Sequence, residues 1–162
     1  PINLDEMASD QISMFDDKDN ITFQYYGLKD AWVMGPKPQL VRVFVNLLTN
    51  AVQAIENQQT EDYEAGREPV HGQIVLSLRN STKESFYDIV FEDNGPGIRD
   101  ENRSRLFTPN FTTKSSGTGL GLSICKNILE RCGGEIQYSQ SFALKGACFT
   151  VRFPKSKQII SQ

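Results

Sequence analysis

The stretch SSGTGLGLSICKNILERCGG, residues 115–134, sets glycines at 117, 119 and 121 and then turns at once into a helical apolar pattern. Glycine inside regular structure costs roughly 0.5–1 kcal/mol relative to alanine. A helix start this rich in glycine marks a place where bare backbone is needed. The usual client is a phosphate held by the unpaired amides of a helix N-terminus. Lys114 puts a positive charge just before the coil, and Thr118 and Leu120 lie within it. A flexible loop leading into a core helix fits this segment equally well. Two common phosphate signatures do not match: there is no GxxxxGK[ST], and the spacing is GxGxG rather than GxGxxG directly after a strand.

Upstream, EDNGPGIRD (92–100) places Asp93 at the end of an apolar strand, where a carboxylate is desolvated and needs hydrogen-bond donors. Gly95 and Gly97 bracket Pro96 in a rigid turn with no side chains to obstruct a flat ligand. An adenine amine is a natural donor to such an acid, and a capping aspartate in an ordinary turn is the plainer alternative. Further upstream, PQLVRVFVNLLTNAVQAIENQ (38–58) reads as a long helix with Pro38 in its first turn. Arg42, Asn46, Asn50, Gln53 and Asn57 form one polar stripe beside the apolar stripe Leu40, Phe44, Leu47, Ala51 and Ile55. A solvent face accounts for such a stripe, yet solvent faces favour Lys and Glu, and this one carries amides with no charge between Arg42 and Glu56. Amide oxygens can ligate Mg²⁺, which takes few protein ligands when phosphates supply the rest.

The remainder of the chain fits around these pieces. Residues 2–15 have helical spacing, 21–26 and 31–35 read as short strands, and 59–71 as a polar loop. Segments 73–80 and 87–93 alternate as adjacent antiparallel strands, and EIQYSQ and ACFTVRFP close the chain as two more. Residues 94–116 lack periodicity except for helical content near Glu101–Phe107, and a loop of that length in a compact domain is usually functional. GG at 133–134 ends the last helix. The order predicts a two-layer α/β sandwich, with a mixed, mainly antiparallel sheet and helices on one face.

At 162 residues, 38% hydrophobic and 23% charged, the chain suits one ordinary globular domain. A net charge of −3 gives no reason to expect a nucleic-acid partner. No apolar run reaches the roughly 18 residues of a membrane span, and the N-terminus lacks a signal-peptide pattern. Cys125, Cys132 and Cys148 contain no CxxC pair and read as reduced thiols of a cytoplasmic domain. The single histidine, His71, makes no metal site alone, and the abrupt ends lead us to expect a fragment.

Taken together, NLLTNAVQAI (46–55), DNGPGI (93–98), LFTPNFTTK (106–114) and GTGLGLSI (117–124) resemble the N, G1, F and G2 boxes of the catalytic, ATP-binding domain of bacterial sensor histidine kinases, in the right order. GGEI (133–136) and KGACFTVRFP (145–154) extend the likeness over nearly the whole chain, and NLLxNAxQA with PxFTTK is similar to the nitrogen-regulation type. The resemblance implies a Bergerat fold covering residues 1–162 as a single domain, with ATP under a mobile lid at roughly 99–116. It implies that Asp93 binds the adenine amine, that Gly95 and Gly97 shape that pocket, and that Asn50 ligates Mg²⁺ with Asn46 near the phosphates. It implies that Lys114, Thr118, Leu120 and the backbone of Gly117, Gly119 and Gly121 hold the phosphate tail, and that Phe107 and Phe111 anchor the lid.

Two positions depart from the family pattern: Gln53 stands where many relatives have Lys, and Cys148 where many have a Thr near the adenine end. The fold also resembles that of gyrase, MutL and Hsp90-type ATPases, which carry a water-activating Glu four residues before the magnesium-binding Asn. Here that position is Asn46, which has no useful basicity, so transfer of the γ-phosphoryl group is expected over hydrolysis. The family's acceptor is a histidine on a separate dimerisation domain, and His71 lacks that context. The resemblance thus implies a catalytic fragment, inactive alone, of a dimeric kinase that passes phosphate to a response regulator and whose parent is either membrane-anchored or not. A module that senses nucleotide without transfer, or an interaction domain that has lost ATP, are the alternatives.

Overall fold

The computed structural model describes residues 1–109 and 121–156. Its elements run β1 (Ile2–Asn3), α1 (Leu4–Phe15), β2 (Ile21–Tyr26), β3 (Trp32–Val33), α2 (Lys37–Glu64), β4 (Gly72–Asn80), β5 (Phe86–Asp93), α3 (Asp100–Arg103), α4 (Gly121–Arg131), β6 (Glu135–Gln140) and β7 (Ala147–Pro154). Five strands form one sheet in the order β2-β4-β5-β7-β6. The β2–β4 pair is parallel and the other three pairs are antiparallel, so the sheet is mixed and mainly antiparallel.

Strand alternation explains the layering. Across the sheet, Leu76 pairs with Phe91 and Phe91 with Phe149, while Leu78 pairs with Ile89 and Ile89 with Val151. All six side chains are buried, on the face covered by the helices. Phe44 of α2 meets Phe91 edge-on at 5.4 Å between ring centroids, fixing the long helix over the central strand. The helix-free face carries the alternate residues. There Arg152 of β7 donates through Nε to Asp88 of β5 at 2.8 Å and through Nη1 to Glu135 of β6 at 3.0 Å. Burial of Asp88 is tolerated because this guanidinium pairs with it.

Two expectations change. The long helix does not stop at Gln58: it continues to Glu64, through residues that read as loop. Gln, Glu and Thr in 59–64 include no helix breaker, and the chain turns only near Gly66, at φ +76. Side chains fix these last turns. Gln59 donates to the carbonyls of Asn20 (3.1 Å) and Val70 (3.0 Å), and the buried Asp62 accepts from Gln58 (3.0 Å) and Arg67 (3.0 Å). The segment at 31–35, in turn, supplies only Trp32–Val33, paired with Ile2–Asn3 in a separate two-stranded ribbon. Gly35 and Pro36 leave it too short to join the main sheet. The end of α4 is as expected: Gly133 is left-handed at φ +77, and the Gly134 amide returns to the Leu129 carbonyl at 2.7 Å.

Candidate functional site

Register decides where Asp93 goes. It pairs with Ile74 at the end of the row that begins with buried apolar residues, so its side chain enters the helix-covered face and is 4% exposed. Backbone amides meet the carboxylate there: Gly95 N donates to Oδ1 at 2.9 Å and Ala147 N to the same atom at 3.3 Å. These bonds offset desolvation and set the orientation of the acid. The neighbouring Asn94 ties the turn to β4, accepting from Gln73 N at 2.8 Å and donating to the His71 carbonyl at 3.0 Å.

The glycines of the turn have separate reasons. Gly97 sits at φ +73, in the left-handed region. A Cβ on Gly95 would lie 3.1 Å from Asp93 Oδ1 and 3.5 Å from Ala54 Cβ, so this glycine lets the turn rest on α2. Asn46 lies two helical turns before Ala54, where its Nδ2 donates to the Gly121 carbonyl at 3.4 Å and lies 3.8 Å from Cys125 Sγ. Asn50, half-buried, lies between them on the same line of the helix. One side of α2 therefore meets the Asp93 turn at Ala54 and the start of α4 at Asn46. At 1.5 Å per residue the two contacts are about 12 Å apart along the helix. Gly121 is the first residue of α4, and a Cβ there meets no described atom within 4 Å. Packing among the described residues does not account for that glycine.

Phe107, half-buried, packs edge-on to Phe149 at 6.4 Å, and Phe149 meets Tyr138 at 5.2 Å. Arg103 stacks over Tyr138 at 5.2 Å, and the Tyr138 hydroxyl accepts from Ile98 N at 3.0 Å. These contacts fasten the segment from Ile98 to Phe107 to β6 and β7. Phe111, Lys114, Gly117, Thr118, Gly119 and Leu120 lie outside the described residues. Gln53 is exposed on the outer part of the stripe.

Cys148, expected near the adenine end, faces away from it. Cys148 pairs with Glu92 and Ser139, so its side chain lies on the face of the sheet opposite Asp93. Burial raises its pKa, while Ser139 acts in the opposite direction through a hydrogen bond. Its sulfur cannot substitute for a hydroxyl at the acid; the backbone amide of Ala147 makes that contact instead. Sequence reading also missed Gly146. A Cβ there would stand 2.3 Å from the Asp93 carbonyl oxygen, 2.6 Å from Asp93 Oδ1 and 2.8 Å from Gly95 N. The only sequence signal was a glycine just before a closing strand.

Burial pushes the Cys125 thiol up to about 11, against a hydrogen bond from Asn46 and the charge of Arg42. Among the described residues no cluster of three or more His, Cys, Asp or Glu could hold a metal, and no helix is long and apolar enough to cross a membrane.

The family of histidine kinase-, DNA gyrase B- and HSP90-like ATPases matches residues 35–157. The sensor histidine kinase ZraS of Salmonella typhimurium is 40% identical over 119 residues, covering 72% of this chain and 22% of that protein. TmoS, a sensor histidine kinase of Ectopseudomonas mendocina, is 32% identical over 124 residues, covering 76% of this chain and 12% of that protein. The chain thus spans about a fifth of ZraS and less of TmoS. The nucleotide-free catalytic domain of histidine kinase ThkA superimposes with a TM-score of 0.77 at 29% identity, covering 95% of this chain and 93% of that one. A structure of ThkA in complex with the response regulator TrrA matches with a TM-score of 0.72 at 27% identity, covering 96% of this chain and 41% of that one.

Proposed function

The chain belongs to the family of histidine kinase-, DNA gyrase B- and HSP90-like ATPases, and from that premise we propose that it is the catalytic domain of a sensor histidine kinase. It binds Mg·ATP and donates the γ-phosphoryl group to a histidine on a separate dimerisation domain. The observation that carries this reading is the single line on α2 that touches the Asp93 turn through Ala54 and the start of α4 through Asn46. That line supports a reading in which an acid for the purine amine, amides for the phosphates and a helix N-terminus for anionic charge serve one bound nucleotide along α2.

Asp93, oriented by the amides of Gly95 and Ala147, reads the adenine amine, and Gly95 and Gly97 keep the turn low enough for the ring. Asn46 stands near the phosphates. The Asn50 amide oxygen, half-buried between the purine and phosphate ends, is of a type that fits Mg²⁺ when phosphates supply the remaining ligands. When bound, the ion neutralises phosphate charge. Lys114, Thr118, Leu120 and the glycines at 117, 119 and 121 complete the phosphate contacts, and residues 99–116 form the lid with Phe107 and Phe111 as its anchors.

In the transfer, the β–γ bridging P–O bond breaks and a P–N bond to an imidazole nitrogen forms. The electron pair leaves with ADP, and the proton on the other ring nitrogen passes to solvent. Phosphoryl transfer asks mostly for positioning and charge neutralisation. Asn46 offers no base where the hydrolytic relatives carry Glu, which favours transfer over hydrolysis. His71 is not the acceptor: its carbonyl holds Asn94 behind the Asp93 turn, at the purine end, and its ring bonds to Thr22 Oγ1 at 2.7 Å. The acceptor lies on a dimerisation domain beyond this chain, in a dimeric parent working in the cytoplasm and passing phosphate to a response regulator.

The test combines magnesium-dependent ATP binding with radiolabel transfer to a supplied dimerisation domain. Transfer by the wild-type chain, its loss in Asn50→Ala, and near-background ATPase support the reading. Brisk hydrolysis without transfer overturns it, and binding without transfer makes the chain a nucleotide-sensing module.

A further inference from the structure

The line of contacts along α2 gives the cleft a direction. Ala54 marks the purine end and Asn46 the start of α4. One more turn the same way, about 6 Å further along the axis, stands Arg42. It shares the side of α2 that faces α4, since its charge acts on Cys125, the residue that Asn46 also reaches. Arg42 is exposed, and no ion pair to it is formed among the described residues. Nor does it serve the helix. It lies in the second turn of α2, near the positive end of the macrodipole, and the first turn offers no acidic residue to balance it. Helix stability and surface pairing both leave this cation unexplained, while its place beyond Asn46 is where the far end of a triphosphate bound along α2 would meet an incoming acceptor.

We infer that Arg42 is a catalytic residue of the transfer step, its guanidinium facing the γ-phosphoryl group as it passes from ATP to the acceptor nitrogen. The inference rests on the kinase reading above. A planar donor at that point lends charge-assisted hydrogen bonds to the phosphoryl oxygens while the P–O bond breaks and the P–N bond forms. Because ADP and the purine are held elsewhere, the effect falls on the rate of transfer and leaves nucleotide affinity alone.

The experiment measures ATP binding and single-turnover phosphoryl transfer to a supplied dimerisation domain, at saturating Mg·ATP and varied acceptor, for wild type, Arg42→Gln and Arg42→Lys. Expected in Arg42→Gln are ATP affinity within about twofold of wild type, a maximal transfer rate lowered roughly 10- to 150-fold, and an unchanged half-saturating acceptor concentration. Arg42→Lys should recover part of the rate. Transfer at the wild-type rate in Arg42→Gln overturns the inference alone. So does a defect confined to acceptor half-saturation, which would make Arg42 a docking residue, or a parallel loss of ATP affinity, which would make it a ground-state contact. Failure of the wild-type chain to transfer overturns the kinase reading and this inference with it.

Discussion

Replacing Gly146 by alanine tests the geometry around Asp93 more directly than removing the acid. The φ of Gly146 lies outside the left-handed region, so alanine meets no backbone strain there. Only space forbids it. The added carbon would stand 2.3 Å from the Asp93 carbonyl oxygen and 2.8 Å from Gly95 N, both backbone atoms that cannot swing aside. The β7 end must therefore retreat from β5, taking with it the 3.3 Å bond from Ala147 N to the carboxylate. Overpacking costs about 1–3 kcal/mol and the lost hydrogen bond about 0.5–1.5 kcal/mol, together roughly 2–4 kcal/mol. For a domain of this size that lowers the melting temperature by roughly 4–16 °C. ATP affinity should fall roughly 10-fold or more, because the acid loses the amide that orients it. Differential scanning calorimetry reads the first effect and isothermal titration the second. Gly121→Ala is the control: its Cβ meets no described atom within 4 Å, so stability should hold or rise slightly. A Gly146→Ala protein that melts and binds ATP like wild type would refute the close approach of the two strands at this point.

Asp93→Ala should lose about 1.5–3 kcal/mol of ATP binding, roughly 10–150-fold by calorimetry, and undiminished affinity would remove the acid from the purine site. Burial pushes the Cys125 thiol up from an ordinary 9.0 to about 11, so folding favours its protonated form. The stability this confers is complete below the unfolded pKa and is lost as pH rises through about 9 to 11, a fall on the order of 3 kcal/mol. Denaturant midpoints across that range should drop more steeply in wild type than in Cys125→Ala. Equal slopes would show that the thiol does not ionise on unfolding.

Periodicity made most of the sheet legible. Segments 73–80 and 87–93 alternate cleanly, and the same alternation carries Asp93 into the helix-covered face. The length of α2 was hidden because polarity was mistaken for irregularity: residues 59–64 are polar and helical, steadied by Gln59 and Asp62 contacts with Asn20, Arg67 and Val70 outside the helix. Cys148 was misjudged because proximity in sequence to the site says nothing about which face of a strand a side chain takes. Gly146 could not be found at all. Its value comes from a strand 53 residues away, brought alongside only by the β5–β7 pairing. Helical spacing put Asn46 and Asn50 on one side of a long helix, whereas the contact of Gly95 with Ala54, which joins the turn to that helix, is a matter of tertiary packing.

The small ribbon of β1 and β3 also has a mechanical consequence. Ile2 pairs with Val33, and the amide of Ser156 donates to the Trp32 carbonyl at 2.8 Å, so both ends of the described chain are fastened to the same two-residue strand. Two neighbouring strands are about 5 Å apart, so ends held this way are only a short step from each other. A brief glycine–serine bridge from Ser156 back to Pro1 would close residues 1–156 into a ring with little strain, and new termini opened in the 81–85 turn would yield a permuted domain with the Asp93 turn and α2 untouched.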